Sequence, residues 1–184
     1  MYILTKYTHF IFPLEIKDKK WYNIDIKSRG YFMFNTTLCY IEKDGAYLMI
    51  HRVKKINDMN KDKWVGVGGK LEEGESPFDC ARREIKEETG INVTDLNYRG
   101  VITFVSDLYG TEYMHLFTAT EYEGEIDYNC NEGTLEWVKK EIVPTLPIWE
   151  GDKIFFKLIE TEKRFFSLKL CYEGDKLVSH TLEF

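Results

Sequence analysis

The stretch from residue 68 to residue 91, GGKLEEGESPFDCARREIKEETGI, constrains this chain more than any other. Ser76 suits an N-cap and Pro77 the first helical position. Asp79 assists the cap and favours the positive end of the helix dipole. Gly90 suits the residue that ends a helix in the left-handed region. A helix is therefore predicted over 77–89, with Phe78, Ala81 and Ile85 as its apolar stripe. Glu84, Glu87 and Glu88 share another face, because positions i, i+3 and i+4 are neighbours on a helix. Like charges at that spacing cost a few tenths of a kcal/mol each, and the negative end of the dipole adds to the penalty. The face is poor as a bare helix and good as a cation site.

Three carboxylates on one face make a hard, oxygen-rich donor set of the kind that suits Mg²⁺ or Mn²⁺ with a phosphate substrate. The glycines ahead of the helix let backbone groups approach an ion or phosphate closely. Hydrolysis of a diphosphate needs charge neutralisation, an activated water and in-line geometry. Glu84, Glu87 and Glu88 are candidate metal ligands, and one of them is a candidate base. Arg83 is a candidate catalytic residue that orients a neighbouring glutamate through paired hydrogen bonds. Lys70 is a candidate for meeting a phosphate as a point charge.

The 184 residues suffice for one domain with a core, with room for an appendage. A net charge of −6 argues against duplex nucleic acid as a partner, since duplex binding relies on neutralising phosphates. It leaves a small nucleotide open, because a cation can supply the positive charge. Cys39, Cys80, Cys130 and Cys171 form no CxxC pair, which favours reduced thiols and a cytoplasmic setting. No apolar run is long enough to span a bilayer, so no membrane partner is expected. His9, His51, His115 and His180 show no metal-ligand spacing.

Along the chain, 36–41 and 46–51 read as strands joined at Asp44-Gly45, 52–63 as a loop, and 64–70 as a short strand entering the glycine turn. Paired strands are expected over 98–106 and 112–121, and another strand over 134–138. A second amphipathic helix is expected over 149–162. A closing hairpin over 164–184 places Phe166, Leu168, Leu170 and Tyr172 on one face. No βαβαβ rhythm appears, so the fold class is α+β with a mixed sheet and helices on its faces.

The central stretch resembles the Nudix box, GX5EX7REUXEEXGU, where U is aliphatic. Gly69, Glu75, Arg83, Glu84, Ile85, Glu87, Glu88, Gly90 and Ile91 match every specified position. The resemblance implies a Nudix-type α/β/α sandwich and hydrolysis of a nucleoside diphosphate linked to another group. It implies that Glu84, Glu87 and Glu88 serve as metal ligands or base, and that Gly68 lends its carbonyl to the metal. It also sets residues 33–184 as the hydrolase domain and 1–32 as an N-terminal extension, the resemblance beginning near Met33.

The segments WVGVGGKLEEGE, RGVITF, CNEGTLEWV, PIWEGDKIFFK and FFSLKLCYEGDKL further resemble the MutT/MutX-type 8-oxo-dGTP diphosphatases, in order. That resemblance implies a Mg²⁺-dependent enzyme of nucleotide-pool sanitation; a monomer or weak dimer is expected. It adds Glu132 as a further metal-site carboxylate, and Trp149 and Asp152 as residues that hold the purine. Two positions depart from the pattern. Val65 stands where some relatives use Asn against the base, and Gly151 where some carry a second acidic residue. Phe104, Met114 and Phe155 are apolar residues suited either to a base pocket or to the core. The same chemistry on dinucleoside polyphosphates is an alternative, with Tyr109 18 residues past the box. A non-catalytic nucleotide-binding module is a second alternative. The proline of the ADP-ribose branch and the coenzyme-A signature are absent.

Overall fold

In the computed structural model, residues 33–55 and 58–184 are described. The expectation of an N-terminal extension over 1–32 lies outside them. The strands and helices follow in the order β1 (Met33–Lys43), β2 (Ala46–His51), β3 (Trp64–Val65), α1 (Pro77–Thr89), β4 (Asn92–Val93), β5 (Asn97–Ser106) and β6 (Gly110–Ala119). The chain continues through β7 (Tyr122–Glu123), β8 (Thr134–Lys139), α2 (Asp152–Thr161), β9 (Phe166–Glu173) and β10 (Lys176–Glu183). A single 3₁₀ turn at Val143–Thr145 precedes α2.

The main sheet runs β10-β9-β5-β6-β1-β2-β3, with β8 on the other side of β2. The pairs β1/β6 and β5/β9 are parallel and the others antiparallel, so the sheet is mixed as expected. Asp44 and Gly45 both have positive φ, 51° and 74°, which suits a two-residue turn between twisted strands. Alternation along the strands sends side chains to two cores. Tyr40, Met49, Ile102, Phe104 and Leu116 face α2, where Phe155, Phe156 and Ile159 meet them. Cys39, Ile41, Leu48, Ile50 and Phe117 face α1, which supplies Ala81 and Ile85. One helix on each face makes the α/β/α sandwich.

The strands β1 and β2 pair only near their hairpin, at Ile41↔Leu48, Glu42↔Tyr47 and Lys43↔Ala46. Beyond that they splay, and residues 64–70 enter the gap. Val65 and Trp64 pair with β2, while Val67 and Lys70 bridge to Cys39 and Thr36 of β1. This wedge carries the glycine turn to the sheet surface beneath α1.

The second helix begins at Asp152, with Gly151 as an N-cap that makes no side-chain hydrogen bond. It was expected three residues earlier; Trp149 and Glu150 instead form the turn that leads into it. The two-residue ladder of β4 and β7 was not anticipated, because two residues show no readable period.

Candidate active site

The capping chemistry predicted for α1 is in place. Ser76 Oγ accepts from the Asp79 amide at 3.2 Å, and Asp79 Oδ2 accepts from the Ser76 amide at 3.0 Å. Gly90 closes the helix with φ 77°. Among the residues expected in the stripe, Ala81 and Ile85 are buried, and Phe78 packs edge-on against Phe117.

The three glutamates occupy different environments on their shared helix. Glu87 is exposed, its side chain retaining 62 % of its surface, and among the described residues its one ion pair is a 3.5 Å contact to Arg83. Glu84 is held at 2.7 Å by Arg83 Nη1 and lies against the glycine turn. A Cβ at position 69 would come within 2.4 Å of Glu84 Oε1, so any larger residue there would push this carboxylate from its place. Glu88 is buried, on the same side as Ala81 and Ile85, and accepts a 2.9 Å hydrogen bond from the Gly68 amide. Burial pushes its carboxyl up to about 7, although the Gly68 N–H and the charges of Arg52 and Lys55 pull the other way.

Arg83 organises the outer part of the site. Its guanidinium grips Glu75 with Nε at 2.7 Å and Nη2 at 2.9 Å, and Nη2 also donates to the Lys70 carbonyl at 3.1 Å. The Glu75 carboxyl is held down at about 2, chiefly by the Arg83 hydrogen bonds. The box arginine thus joins turn, loop and helix into one unit. Lys70 points its ammonium over the Phe34 ring at 4.5 Å, beside a cleft of about 440 Å³ lined by Phe34, Asn35 and Leu71.

Glu132 is engaged by Arg52 and Lys55, the two cations that also act on Glu88. Its carboxylate is thus already paired with both cations. Among the described residues, no three acidic, histidine or cysteine side chains converge closely enough to form a ready-made cation site. The donor set nevertheless fits a hard divalent cation. It comprises carboxylate oxygens on one helix face, one of them buried at a solvation cost that a cation would offset. The Gly68 carbonyl, which accepts no hydrogen bond from the described residues, adds a neutral oxygen.

The residues expected to hold a base sit on the α2 face of the sheet. Trp149 is buried and packs edge-on against Phe104 and Tyr172, with ring centroids 5.3 and 5.2 Å away. Its indole N–H donates to Asn60 Oδ1 at 2.7 Å, and the Lys63 ammonium lies 4.4 Å from its ring. Tyr109 stands at the rim, 6.4 Å from the same ring. Asp152 is buried too, and burial raises its carboxyl to about 8 against the pull of a Trp149 backbone hydrogen bond and of Lys63. It is thus a carboxylic acid, able to donate as well as accept, through most of the neutral range. At position 151 a Cβ would meet Leu170 Cδ1 at 2.6 Å and the Tyr172 hydroxyl at 2.7 Å, so a side chain there has to displace one of them. Val65 half-buries against the α1 core, and Phe155 is core; Met114 packs partly buried beside Phe104. Glu112, unremarked in the sequence, lies on the same face.

Residues 34–159 match the model of the NUDIX domain. The chain belongs to the Nudix family. It is 36 % identical over 124 residues to an oxidized purine nucleoside triphosphate hydrolase of Danio rerio, covering 66 % of this chain and 78 % of that protein. An uncharacterized Nudix hydrolase of Bacillus subtilis, YvcI, is 32 % identical over 125 residues, covering 66 % and 75 %. Among solved structures, a MutT protein from Bacillus halodurans superposes with a TM-score of 0.71 at 34 % identity, covering 82 % of this chain and 97 % of that one. Within the family the protein is a pyrophosphohydrolase resembling the MutT-type enzymes. Among the described residues, no helix is long and apolar enough to cross a membrane.

Proposed function

We propose that the protein is a Mg²⁺-dependent cytoplasmic diphosphohydrolase of nucleotide-pool sanitation, with residues 33–184 as its catalytic domain. It cleaves 8-oxo-dGTP and related purine nucleoside triphosphates to the monophosphate and pyrophosphate. The observation that carries this reading is the burial of the Asp152 carboxyl, which raises it to about 8, beside Trp149, whose ring packs on Phe104 on the α2 face of the sheet. An oxidised purine differs from its parent in the donors and acceptors on its edge. A carboxyl that keeps its proton meets such an edge with one donor and one acceptor. The names of the relatives in zebrafish and mouse support the same substrate class.

Each side chain then has a task. Glu84, Glu87, Glu88 and the Gly68 carbonyl would hold the divalent cation, which supplies charge neutralisation and lowers the pKa of water at the diphosphate. Glu132 would join this set by leaving Arg52 and Lys55. Arg83 keeps Glu84 against the glycine turn and clamps Glu75, so the carboxylate helix is fixed before substrate arrives. Either Glu84 or Glu87 receives the proton of the attacking water. Lys70 meets a phosphate oxygen, exchanging its position over Phe34 for that contact. Trp149 offers an aromatic face once Lys63 moves from it.

The test is pyrophosphate release with Mg²⁺ from 8-oxo-dGTP, dGTP, diadenosine tetraphosphate and ADP-ribose side by side. A phosphatase is coupled for the last two. The expected result is the highest kcat/KM for 8-oxo-dGTP. A preference for diadenosine tetraphosphate or ADP-ribose would overturn the substrate assignment, and no turnover of any would favour a binding module.

A further inference from the structure

Glu112 is a half-buried acid that the reading above does not use, and its surroundings are specific. It stands on β6 opposite Phe104 of β5 and Phe34 of β1, so its side chain leaves the sheet on the α2 face with theirs. Thr36 Oγ1 donates to its Oε1 at 2.7 Å. The other carboxyl oxygen has no hydrogen-bond donor among the described residues. Burial raises the Glu112 carboxyl above its usual range, while Thr36 and the Lys70 ammonium pull it back. A mid-strand acid in such a place, without a close ion pair among the described residues, costs stability unless something uses it.

Its place between the two ends of the site indicates what that is. On one side Thr36 bridges to Lys70, at the end of the glycine turn that holds the phosphate machinery. The neighbouring Thr37 turns to the opposite face, where its hydroxyl lies 3.5 Å from Cys80 of α1 and its amide donates to the Gly69 carbonyl at 2.8 Å. On the other side Phe104 leads to Trp149, which adjoins Asp152 at the base end. In any nucleotide the sugar lies covalently between base and phosphates. A group midway between the two ends, on the base-binding face, meets the sugar.

We propose that Glu112 is a specificity-determining residue that accepts a hydrogen bond from a sugar hydroxyl of the nucleotide. Thr36 fixes one carboxyl oxygen and leaves the other for the substrate. The inference rests on the placement of base and phosphates proposed above. It makes the enzyme selective for nucleotides that carry a free hydroxyl on the sugar, at a position remote from the oxidised edge of the base.

The experiment compares kcat/KM for 8-oxo-GTP, 8-oxo-dGTP and 8-oxo-2′,3′-dideoxyGTP in the wild type, Glu112→Gln and Thr36→Val. Melting temperatures are taken for all three proteins. The wild type is expected to disfavour the dideoxy nucleotide by roughly tenfold or more, the effect of one lost charge-assisted hydrogen bond. Glu112→Gln should lose most of that discrimination, with its loss confined to the hydroxyl-bearing substrates. Thr36→Val should show the same selective pattern in smaller degree, which a general loss of folding cannot imitate. The ratio of 8-oxo-GTP to 8-oxo-dGTP reports whether the 2′ or the 3′ hydroxyl is read. Equal wild-type activity on all three nucleotides would overturn the role of Glu112 while leaving the proposed function intact. A uniform fall across all three in both variants would overturn it likewise, assigning Glu112 to holding Lys70 or the sheet. No wild-type turnover of any would remove the proposed function and this inference together.

Discussion

Replacing Asp152 by Asn tests the central feature of the proposed pocket without reference to substrate. Asp152 is 7 % exposed, and burial raises its pKa from 3.8 to about 8. Between those values the folded chain keeps a proton that the unfolded chain has released. Unfolding stability from this group is therefore fully present below about pH 4 and is lost as pH rises through 8. The slope is about 1.4 kcal/mol per pH unit, so between pH 5 and pH 7 the wild type loses roughly 2–3 kcal/mol on this account. Asn keeps the donor and the acceptor and cannot ionise. Glu88 titrates in the same direction but is present in both proteins and cancels in the difference. Urea unfolding is measured at half-unit steps from pH 4.5 to 8 in EDTA. The stability of Asp152→Asn minus that of the wild type should climb through this range by two kcal/mol or more. Two parallel curves would mean that Asp152 ionises with an ordinary pKa in the folded protein. The reasoning that makes it a hydrogen-bond donor to the base would then be wrong.

Three further substitutions separate chemistry from structure. Glu88→Gln should lower kcat by roughly a hundredfold or more, since even outer partners of a bound metal cost 10–100-fold. Its melting temperature in EDTA should hold or rise, because the buried charge is gone; a clear fall would assign Glu88 to structure. Ser76→Ala removes one half of the capping box and should cost about 1 kcal/mol in denaturant unfolding with kcat unchanged. Gly151→Asp forces a side chain against Leu170 and Tyr172 and should destabilise by about 1–3 kcal/mol, read as a lower melting temperature. A neutral result would show that α2 can shift, and that the missing acid at this position has no steric cause.

What was legible in the sequence follows the range of the interactions concerned. The ends of α1 were readable because Ser76, Asp79 and Gly90 act on backbone groups within one turn of themselves. The two sheet faces were readable because alternation is a property of each strand alone. The unequal treatment of the three glutamates was not. Helical spacing gathers Glu84, Glu87 and Glu88, but which of them is covered depends on what packs against α1. Glu88 is covered because the wedge of residues 64–70 brings the Gly68 amide to it across 20 positions of chain. The start of α2 was misplaced for a related reason. Trp149 and Glu150 fit a helical pattern, yet Trp149 is held by Asn60, Phe104 and Tyr172, so the helix begins only after it. Glu112 was the least visible of all. In the strand EYMHLF it reads as an ordinary polar end, and its partner Thr36 lies 76 residues away on a strand that pairs in parallel. Parallel neighbours leave no turn between them to announce the contact. Where a site is assembled by such pairings, the residues proposed to set the reaction lie in a local motif, and those proposed to select the substrate are scattered over strands that only the fold brings together.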